Sequence, residues 1–367
     1  MHVSLMTGGL DIYIRNSIEY ASGMHNYVIV HGKKEIVSPI HCKGEQIPTY
    51  AIDLQRNPSI WKDLKAIYQV IRLIRELHPD VIHCHSAKGG IIGRIAGYLT
   101  GTPTLYTAHA FSFLSTRHRS LRTFYRVTER MTRLKASLLA CSESEQTLGI
   151  KYVHYPKDRA LVWHNVTPRP EIDETRMKVD IPEGPYLCTI GRPSYQKNPF
   201  FLLDMFTEIH KQHPELKLYL VGAGFHSPLL NKINDRVKKM GLEDLFVILP
   251  WISHHDAMAL VKHSLFYVTV SRYEGLPLSV IESLSIGKCV VASDVIGNRD
   301  CVQHQVNGLL IETKNPKASA QQVCNLIDHP EEIEKMSRES LRVYHERFNI
   351  EDRITILENI YVQYANK

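Results

Sequence analysis

Two glutamates, Glu274 and Glu282, lie eight positions apart where a strand is expected to give way to a helix. The apolar run over residues 266–270 predicts a buried parallel strand, and Ser279 followed three residues later by Glu282 is typical of a capping box at a helix start. Glu274 would then follow the carboxyl end of a strand, where open α/β sheets bind ligands. Carboxylates there can accept hydrogen bonds from sugar hydroxyls, including those of a ribose. A plainer alternative is that Glu282 only caps its helix and Glu274 is a solvated loop acid.

A second loop brings two cations to the start of a helix. It follows the apolar segment 186–190, which predicts a strand, and it carries Arg192 and Lys197. Asn198 is a favoured N-cap residue and Pro199 a favoured first helical residue, so a helix is expected from there. A guanidinium fork, a compact ammonium and the N–H groups of a helix start suit the oxygens of a diphosphate. The alternative is a solvated basic loop.

These two segments together resemble a known enzyme family. Glu274-Gly-Leu-Pro-Leu, the second glutamate and the later Gly287-Lys-Cys-Val-Val-Ala-Ser-Asp294 resemble the Glu-x7-Glu signature of retaining nucleotide-sugar glycosyltransferases of family 4. Gly191-Arg-x4-Lys-Asn resembles the phosphate-binding segment of the same family. The resemblance implies an α/β protein of the GT-B fold, with two Rossmann-like doubly wound domains facing each other across a cleft. It also implies sugar transfer from a nucleoside diphosphate, with UDP expected, to an acceptor hydroxyl with retained anomeric configuration.

The resemblance assigns roles to individual residues. Glu282 is expected to hold the ribose hydroxyls and Glu274 those of the donor sugar. Arg192 and Lys197 are expected to stabilise the charge that develops on the leaving diphosphate. The other expected donor-binding residues are Gly8, Gly9, Gly191, Gly222, Ile252, Gly275 and Leu276.

Three histidines follow or end two neighbouring predicted strands. His109 lies in a Thr-x-His-Ala-Phe-Ser segment similar to one in which family 4 enzymes place a histidine beside the anomeric carbon, although Ala110 stands where glycine is more usual. His83 and His85 would point to one side of a regular strand. A metal there would need a third ligand, and since none is evident we expect a hydrogen-bonding role. The sequence has no Asp-x-Asp triplet, so neither a metal nor another cofactor is expected, and the nucleotide-sugar is a substrate.

Positive charge is concentrated between residues 115 and 137, where seven Lys or Arg stand against one acid. Five of these arginines recur at three- and four-residue spacing and would share one face of a helix. Such a face gains roughly 1 kcal/mol per cation near an anionic bilayer, so we expect peripheral attachment to the inner face of the cell membrane and no nucleic-acid partner. The alternative is a solvated basic face. The arginines are Arg119, Arg122, Arg126, Arg130 and Arg133, and Ser86 and Lys88 at another predicted helix start are candidates for binding an anion or the acceptor.

At 367 residues the chain is too long for one ordinary core, and two domains are expected. The first should span 1–165 and the second 186–349, with a proline-rich linker over 166–185 and a terminal helix near 350–367 that packs back on the first domain. The seven cysteines are scattered without a Cys-x-x-Cys pair, and no apolar run approaches the ~20 residues of a membrane span. These features favour a cytoplasmic protein without disulfides or structural zinc.

Other functions fit parts of the pattern. A nucleotide-sugar epimerase shares the architecture but has different motifs, and a carboxylate-pair hydrolase would leave the basic loop unexplained. A non-catalytic partner subunit would typically lack Glu282, Arg192 or Lys197, which are all present. By analogy with similar family members, the expected acceptor is a glycan or a lipid-linked diphosphate in the assembly of bacterial capsule, O-antigen or exopolysaccharide.

Overall fold

Apolar strands alternate with helices along the chain and build two parallel sheets, one in each half. The computed structural model describes residues 1–57, 59–224 and 227–366. Internal contacts divide the chain into one unit of Met1–Thr167 with Ile350–Lys367 and a second unit of Pro168–Asn349. Each unit is built on a parallel sheet with helices packed against it, so the predicted α/β class with two Rossmann-like domains is confirmed.

The described residues of the first unit form nine strands. They are β1 (His2–Val3), β2 (Ile29–Gly32), β3 (His41–Cys42), β4 (Glu45–Gln46), β5 (Thr49–Ile52), β6 (Ile82–His85), β7 (Thr104–Thr107), β8 (Ser137–Ala140) and β9 (Ala160–Val162). Seven of them form a parallel sheet in the order β5-β2-β1-β6-β7-β8-β9, and β3 pairs with β4 in an antiparallel hairpin. Strands β2, β6, β7 and β8 are buried along their whole length, as is typical of a parallel sheet in an α/β protein.

Five helices of the first unit connect these strands. They are α1 (Gly9–Glu19), α2 (Ile60–Leu77), α3 (Ser86–Thr100), α4 (Arg119–Arg133) and α5 (Glu143–Leu148). Helix α3 lies unusually close to the sheet: a Cβ on Gly90 would be 2.2 Å from the ring of Tyr106, and one on Gly89 would be 2.6 Å from the carbonyl oxygen of Val3. The glycines at the start of α3 therefore serve helix–sheet packing.

Within residues 168–224 and 227–349, the second unit contains six strands. They are β10 (Tyr186–Ile190), β11 (Lys217–Ala223), β12 (Phe246–Pro250), β13 (Tyr267–Thr269), β14 (Val290–Ser293) and β15 (Gly308–Ile311). All neighbours are parallel, in the order β12-β11-β10-β13-β14-β15. The strand order reverses between β10 and β13, so the loops that follow these two strands flank the topological switch point at which such sheets bind ligands.

Seven helices cover the second sheet. They are α6 (Pro199–His210), α7 (Leu230–Lys239), α8 (His254–His263), α9 (Leu278–Ser285), α10 (Asn298–Cys301), α11 (Pro316–Ile327) and α12 (Pro330–Arg347). Apolar residues of α6 and α11 pack with the strands in one core cluster that includes Phe206, Leu218 and Val323. Residues 168–185 belong to this unit, where the backbone N–H of Lys178 donates to Asp256 of α8 at 3.1 Å.

The final helix, α13 (Ile350–Ala365), is part of the first unit. Glu358 accepts hydrogen bonds from the backbone N–H and the hydroxyl of Ser22, at 2.8 and 2.7 Å. The hydroxyl of Tyr361 lies 2.8 Å from Nδ1 of His83 in the sheet. Both Glu358 and Tyr361 are buried, so the terminal helix supplies part of the core beneath β6.

Helix α2 buries Ala66, Val70 and Ile74, and its first apolar positions point to solvent. Ile60 and Leu64 are 76% and 54% exposed. The first two turns of α2 therefore present apolar side chains outward, together with the exposed Trp61 and Tyr68.

Helix α4 exposes two of the five arginines that are expected to share a basic face. Arg119 and Arg130 are exposed, whereas Arg122, Arg126 and Arg133 are half-buried. Arg122 donates to the carbonyl oxygen of Thr116 at 3.0 Å. The guanidinium groups of Arg126 and Arg133 lie 4.0 and 5.8 Å from the ring centres of Tyr152 and Tyr155, so cation–π contacts hold these two. The exposed apolar residues of α4 are Leu121, Phe124, Val127 and Met131.

The seven cysteines are all buried thiols, as a protein without a disulfide framework requires. Burial raises the pKa of Cys84 and Cys188 to about 12, so these thiols stay protonated at neutral pH. Among the described helices, none combines the length and the apolar character needed to cross a membrane.

Candidate active site

Lys197 and Glu274 form an ion pair at the switch point of the second sheet. The Lys197 ammonium donates to Oε1 of Glu274 at 2.8 Å. The amide of Gln196 donates to Oε2 of the same carboxylate at 2.9 Å and to the carbonyl oxygen of Tyr273 at 3.2 Å. Glu274 is 7% exposed, and its buried charge is thus compensated by one cation and one amide.

Two strand-to-helix loops hold this pair. Lys197 follows β10 and directly precedes α6, whereas Glu274 follows β13 and precedes α9. The two loops are joined through the backbone, because the N–H of Arg272 donates to the carbonyl oxygen of Gln196 at 2.8 Å. The loop after β14 closes on the other side: the N–H of Glu274 donates to Ile296, and a Cβ on Gly297 would lie 2.7 Å from Cβ of Glu274. Only glycine allows that close approach.

Burial and charge act in opposite directions on Lys197. Burial alone would lower its pKa, but the Glu274 carboxylate and the Tyr267 hydroxyl oppose that effect and the net direction is upward. Lys197 therefore keeps its full positive charge at neutral pH. A bound diphosphate would compete with Glu274 for this charge.

Arg192 lies in the same loop as Lys197, and the two side chains line one small cavity with Gly191, Thr189 and Thr269. Gly191 makes room for the lysine, since a Cβ there would be 3.0 Å from Cε of Lys197. Arg192 itself is exposed. The cavity thus combines two cations, one fixed by an ion pair and one at the surface.

Helix α6 begins at Pro199 as the sequence predicts, with Asn198 as the residue before it. Asn198 differs from the expected N-cap, because its backbone is left-handed, with φ of 55°, and no side-chain cap bond is found for α6 within the described residues. The first N–H groups of this helix are therefore available to an anion rather than to the asparagine side chain.

Glu282 makes an ion pair that the sequence analysis does not foresee. Its Oε1 lies 3.0 Å from Nε2 of His254, at the start of α8. The hydrogen bond to Glu282 raises the pKa of His254. The predicted capping box is wrong: α9 begins at Leu278 after Pro277, and the hydroxyl of Ser279 bonds with that of Tyr267 at 3.0 Å instead of capping. Helix capping therefore does not explain why a carboxylate is buried at Glu282.

His109 and Ala110 follow β7 in a backbone conformation that L-residues rarely adopt. Their φ angles are 50° and 79°, so two successive non-glycine residues are left-handed. Glu145 holds this turn, accepting from the N–H of Ala110 at 2.8 Å and from that of Cys141 at 2.9 Å. The unfavourable φ of Ala110 gives a physical reason why glycine would be the easier residue there. Such strain is commonly found at functional sites.

The first unit brings together more histidines than the sequence analysis assumes. His2, His83 and His85 are buried and place ring nitrogens within 4.8 Å of one another, so the assumption that no third histidine lies near His83 and His85 is wrong. The third ring comes from β1, which pairs directly with β6. His109 joins the same group, since its Nε2 lies 3.2 Å from Nδ1 of His85.

The remaining predicted residues are placed as follows. Lys88 forms an ion pair with Asp63 of α2, so an anion at the start of α3 would have to compete with this carboxylate. Ser86 is the first residue of α3, and Gly8 and Gly9 form the exposed start of α1. In the second unit, Gly222 lies in β11, Ile252 follows β12, and Gly275 and Leu276 are buried next to Glu274.

Comparison with known proteins supports the sequence motifs. Residues 8–165 match the family described as "Glycosyl transferase 4-like domain", and residues 171–342 match "Glycosyl transferases group 1". The chain belongs to the glycosyltransferases of the family 4 type. The curated relatives of this glycosyltransferase include the Escherichia coli UDP-Gal:α-D-GlcNAc-diphosphoundecaprenol α-1,3-galactosyltransferase, 27% identical over 322 residues that cover 84% of this chain and 82% of that protein.

Solved structures confirm the GT-B fold of the glycosyltransferase. Sucrose-phosphate synthase from Thermosynechococcus elongatus is similar with a TM-score of 0.83 at 18% identity, covering 99% of this chain and 94% of that one. HepE from Anabaena, solved in complex with UDP-glucose, is similar with a TM-score of 0.77 at 17% identity, covering 97% of each chain. At these identities the similarity shows the fold alone.

Several polar residues in each unit are not predicted from the sequence. In the second unit, Gln196 and His254 contact the two glutamates and Tyr267 bonds to Ser279. In the first unit, Glu145 holds the turn at Ala110. Gln196 has a weak signal, because it lies within the phosphate-binding motif beside Lys197. His254 and Glu145 have none, because their partners lie 28 and 35 positions away along the chain.

Proposed function

We propose that the glycosyltransferase moves a sugar from a UDP-sugar to a lipid-linked diphosphate acceptor, with retention of the anomeric configuration. One observation carries this proposal: Lys197 and Glu274 meet at 2.8 Å beside the Arg192 cavity and the start of α6. A cationic pocket at a helix N-terminus suits a diphosphate, and an adjoining buried carboxylate suits sugar hydroxyls. The similarity to a relative named as a UDP-galactose-dependent transferase supports UDP as the nucleotide.

The diphosphate is the leaving group of the proposed reaction. When the bond between the anomeric carbon and the phosphate oxygen breaks, its electron pair and a negative charge pass to the diphosphate. Arg192, the first N–H groups of α6 and Lys197, once it exchanges its bond to Glu274 for one to phosphate, would stabilise that charge. The acceptor oxygen forms the new bond on the same face of the sugar, and its proton passes to the leaving phosphate. No covalent intermediate with the protein is required.

Recognition of the ribose is assigned to Glu282. Its carboxylate is 5% exposed and keeps one hydrogen bond to His254, which leaves acceptor capacity for the paired ribose hydroxyls. Glu274 is assigned to the donor-sugar hydroxyls, and His109 to a contact near the anomeric carbon. The strained turn at His109 and Ala110 supports a functional role for that segment.

A lipid-linked acceptor would bring the protein to a membrane surface. Two helices that both pack against α3 expose large apolar side chains, which would add to any attraction by the basic residues. We define this apolar patch as Ile60, Trp61, Leu64 and Tyr68 of α2 with Leu121, Phe124, Val127 and Met131 of α4. Large exposed apolar side chains are typical of interaction surfaces, and exposed Arg119 and Arg130 on α4 would add attraction to anionic lipids. We therefore propose peripheral contact driven mainly by apolar insertion.

The acceptor class can be tested by lipid-phase transfer. Purified protein is incubated with radiolabelled UDP-galactose and either GlcNAc-diphosphoundecaprenol or free N-acetylglucosamine. We expect label in the organic phase only with the lipid-linked acceptor. UDP should also raise the melting temperature more than GDP or ADP, because a ligand stabilises the state that it binds. Equal transfer to free N-acetylglucosamine would refute the lipid-linked acceptor, and stronger stabilisation by GDP or ADP would refute UDP.

A further inference from the structure

Three histidines of the first unit form a continuous hydrogen-bonded row. Nδ1 of His2 lies 3.0 Å from Nε2 of His85, and Nδ1 of His85 lies 3.2 Å from Nε2 of His109. The rings of His2 and His85 are stacked, with an interplanar angle of 6°. Tyr13 packs edge-on against His109, with ring centres 4.7 Å apart. The row leads from the buried strand β1 to the strained turn after β7 and ends on the residue assigned to the donor sugar.

The environment keeps the row uncharged. His2 and His85 are 2% and 0% exposed. Burial first, and then neighbouring imidazoles and the N-terminal amine, hold the pKa of His2 and His85 well below the usual value. Burial lowers the pKa of His109 to about 3. At neutral pH each ring therefore carries one N–H and one lone pair.

All hydrogen bonds along the row must run in the same direction, because each neutral ring donates at one nitrogen and accepts at the other. If Nδ1 of His85 donates to His109, its Nε2 has no proton and must accept from His2; if Nδ1 accepts, Nε2 donates. The row therefore has two consistent arrangements, and a single ring cannot change tautomer without losing a bond. In both, Nε2 of His109 is committed to His85, so Nδ1 is the ring nitrogen that can meet a ligand.

His83 lies beside the row but has other partners. The hydroxyl of Thr107 donates to the carbonyl oxygen of Leu139 at 2.7 Å, so its oxygen accepts from Nε2 of His83 at 2.8 Å. Nδ1 of His83 then accepts from the hydroxyl of Tyr361, also at 2.8 Å. Both nitrogens of His83 are thus engaged. A metal bound by His2, His83 and His85 would have to break these bonds.

We propose that His85 is a positioning residue for the glycosyl transfer. Through its Nδ1 it holds His109 as a neutral ring in one orientation and presents Nδ1 of His109 to the donor sugar. This inference rests on the proposed function, which assigns His109 to that sugar. His85 itself is fully buried and acts only through His109.

Substitution can remove the hydrogen bond at one nitrogen of His85 and keep the bond at the other. The side-chain amide of asparagine takes the place of Nδ1, and that of glutamine takes the place of Nε2. His85→Asn therefore keeps a partner for His109 and loses the bond to His2, whereas His85→Gln does the reverse. Both replace a buried ring by a smaller polar group, so they form a matched pair. His83→Gln is the control for disturbing the same strand.

The measurement is turnover of UDP-galactose to UDP with GlcNAc-diphosphoundecaprenol, with melting temperatures and metal content for each variant. We expect His85→Gln to lower kcat by about 10- to 100-fold with little change in KM for UDP-galactose, since a misplaced contact weakens the transition state. His85→Asn should retain most of the turnover. His83→Gln should lower the melting temperature without the fall in kcat.

The outcomes separate this inference from the function on which it rests. Equal kcat for His85→Asn and His85→Gln would overturn the positioning role, as would a stoichiometric metal in the wild type that both His83→Gln and His85→Gln lose. His109→Gln serves as the reference. If it lowers kcat while His85→Gln does not, only the inference fails; if His109→Gln leaves kcat unchanged, the assignment of His109 to the donor sugar fails as well.

Discussion

The Lys197 ammonium and the Glu274 carboxylate are 2.8 Å apart and form an ion pair between the loops that follow β10 and β13. Lys197 is assigned to the diphosphate and Glu274 to the sugar that the diphosphate carries. Without donor, the two charges neutralise each other in a site that is largely shielded from water. Donor binding must therefore exchange this contact for contacts to phosphate and to sugar hydroxyls, so the pair links recognition of the two parts of the donor.

Removal of Glu274 and removal of Lys197 should change the affinity for UDP in opposite directions. Glu274→Gln releases Lys197 for phosphate and should tighten UDP binding several-fold, while turnover of the UDP-sugar falls on the order of a hundredfold. Lys197→Met should weaken UDP binding at least about tenfold and lower turnover as much. It also leaves a buried carboxylate without its cation, so the melting temperature should fall. Calorimetric titration with UDP and steady-state kinetics measure these effects.

Lys211→Met is the matched control, because Lys211 pairs with Glu208 on the exposed face of α6. It should leave UDP affinity, turnover and melting temperature nearly unchanged, as surface pairs contribute little. Weaker UDP binding in Glu274→Gln than in the wild type would contradict competition between the carboxylate and the diphosphate.

The affinity for the nucleotide, rather than the stability of the protein, tests the role of Glu282. If its carboxylate holds the ribose, wild-type protein should bind UDP about tenfold tighter than 2′-deoxy-UDP, the size of one hydrogen bond to a charged group. Glu282→Gln should weaken UDP binding and reduce this preference. His254→Gln should have a smaller effect in the same direction, since His254 bonds to the carboxylate.

His255→Gln is the neighbouring control, since His255 bonds instead to the N–H of Asp173. It should keep the preference for UDP over 2′-deoxy-UDP. A Glu282→Gln protein with an unchanged preference would remove Glu282 from the ribose site.

As the pH is lowered, the first unit should begin to lose stability at a higher pH than protonation of carboxylates alone would cause. Burial holds the pKa of His2, His83 and His85 well below 6.5, and it lowers that of His109 to about 3. The unfolded chain takes up these protons below pH 6.5 while the folded chain does not, so the free energy of unfolding falls as pH falls from 6.5 toward 3. Each ring contributes up to ~1.4 kcal/mol per pH unit. Urea denaturation at pH 7, 6 and 5 should show the decrease.

His109→Gln removes one titrating ring and should make the pH dependence shallower by up to ~1.4 kcal/mol per pH unit. His254 has the opposite sign, because its raised pKa favours the folded state at low pH, but its side chain is 54% exposed and the offset is small. Equal stability at pH 7 and pH 5 would show that the buried histidines become charged in the folded protein.

Membrane attachment should depend on the apolar patch more than on the arginines. We expect sedimentation with vesicles of phosphatidylglycerol and phosphatidylcholine that persists in high salt. The double variant Trp61→Ser, Phe124→Ser should lose most of it, since each buried CH₂ contributes about 0.8 kcal/mol. Arg119→Ala and Arg130→Ala should lower binding only at low salt. Arg126→Ala should instead destabilise the fold, because Arg126 stacks on Tyr152.

Met240→Ser, at an exposed apolar position of the second unit, is the control and should bind vesicles like the wild type. Binding that high salt abolishes and that the Trp61 and Phe124 changes leave intact would restore the basic face as the attachment surface. Weak recovery of every protein under all conditions would refute membrane contact.

Sequence reasoning is most successful where a local pattern determines structure. The strand Tyr186–Ile190, the strand Tyr267–Thr269 within the apolar run 266–270 and the helix start at Pro199 agree with the patterns that predict them. Continuous apolar runs and proline at the first helical position act over a few residues, so no distant contact is needed.

The failures have one physical origin, which is competition from tertiary contacts. The hydroxyl of Ser279 suits a cap but bonds to Tyr267. Arginines usually contact solvent, yet the guanidinium of Arg126 in α4 stacks on the ring of Tyr152. His2 reaches His85 only because β1 pairs with β6, a contact between residues 83 positions apart. A sequence pattern within one segment does not show whether a local contact or a tertiary contact is the more favourable.

The stereochemistry of the product tests the central claim most directly. Protein, UDP-galactose labelled with ¹³C at the anomeric carbon and GlcNAc-diphosphoundecaprenol are combined, and the one-bond carbon–proton coupling of the labelled centre is read by NMR in the lipid product, with Lys197→Met as the inactive control. Retaining transfer predicts an α-linked galactose with one UDP released per linkage, and almost none in the control. A β-linked product, or release of free galactose and UDP without any lipid-linked disaccharide, would contradict the account.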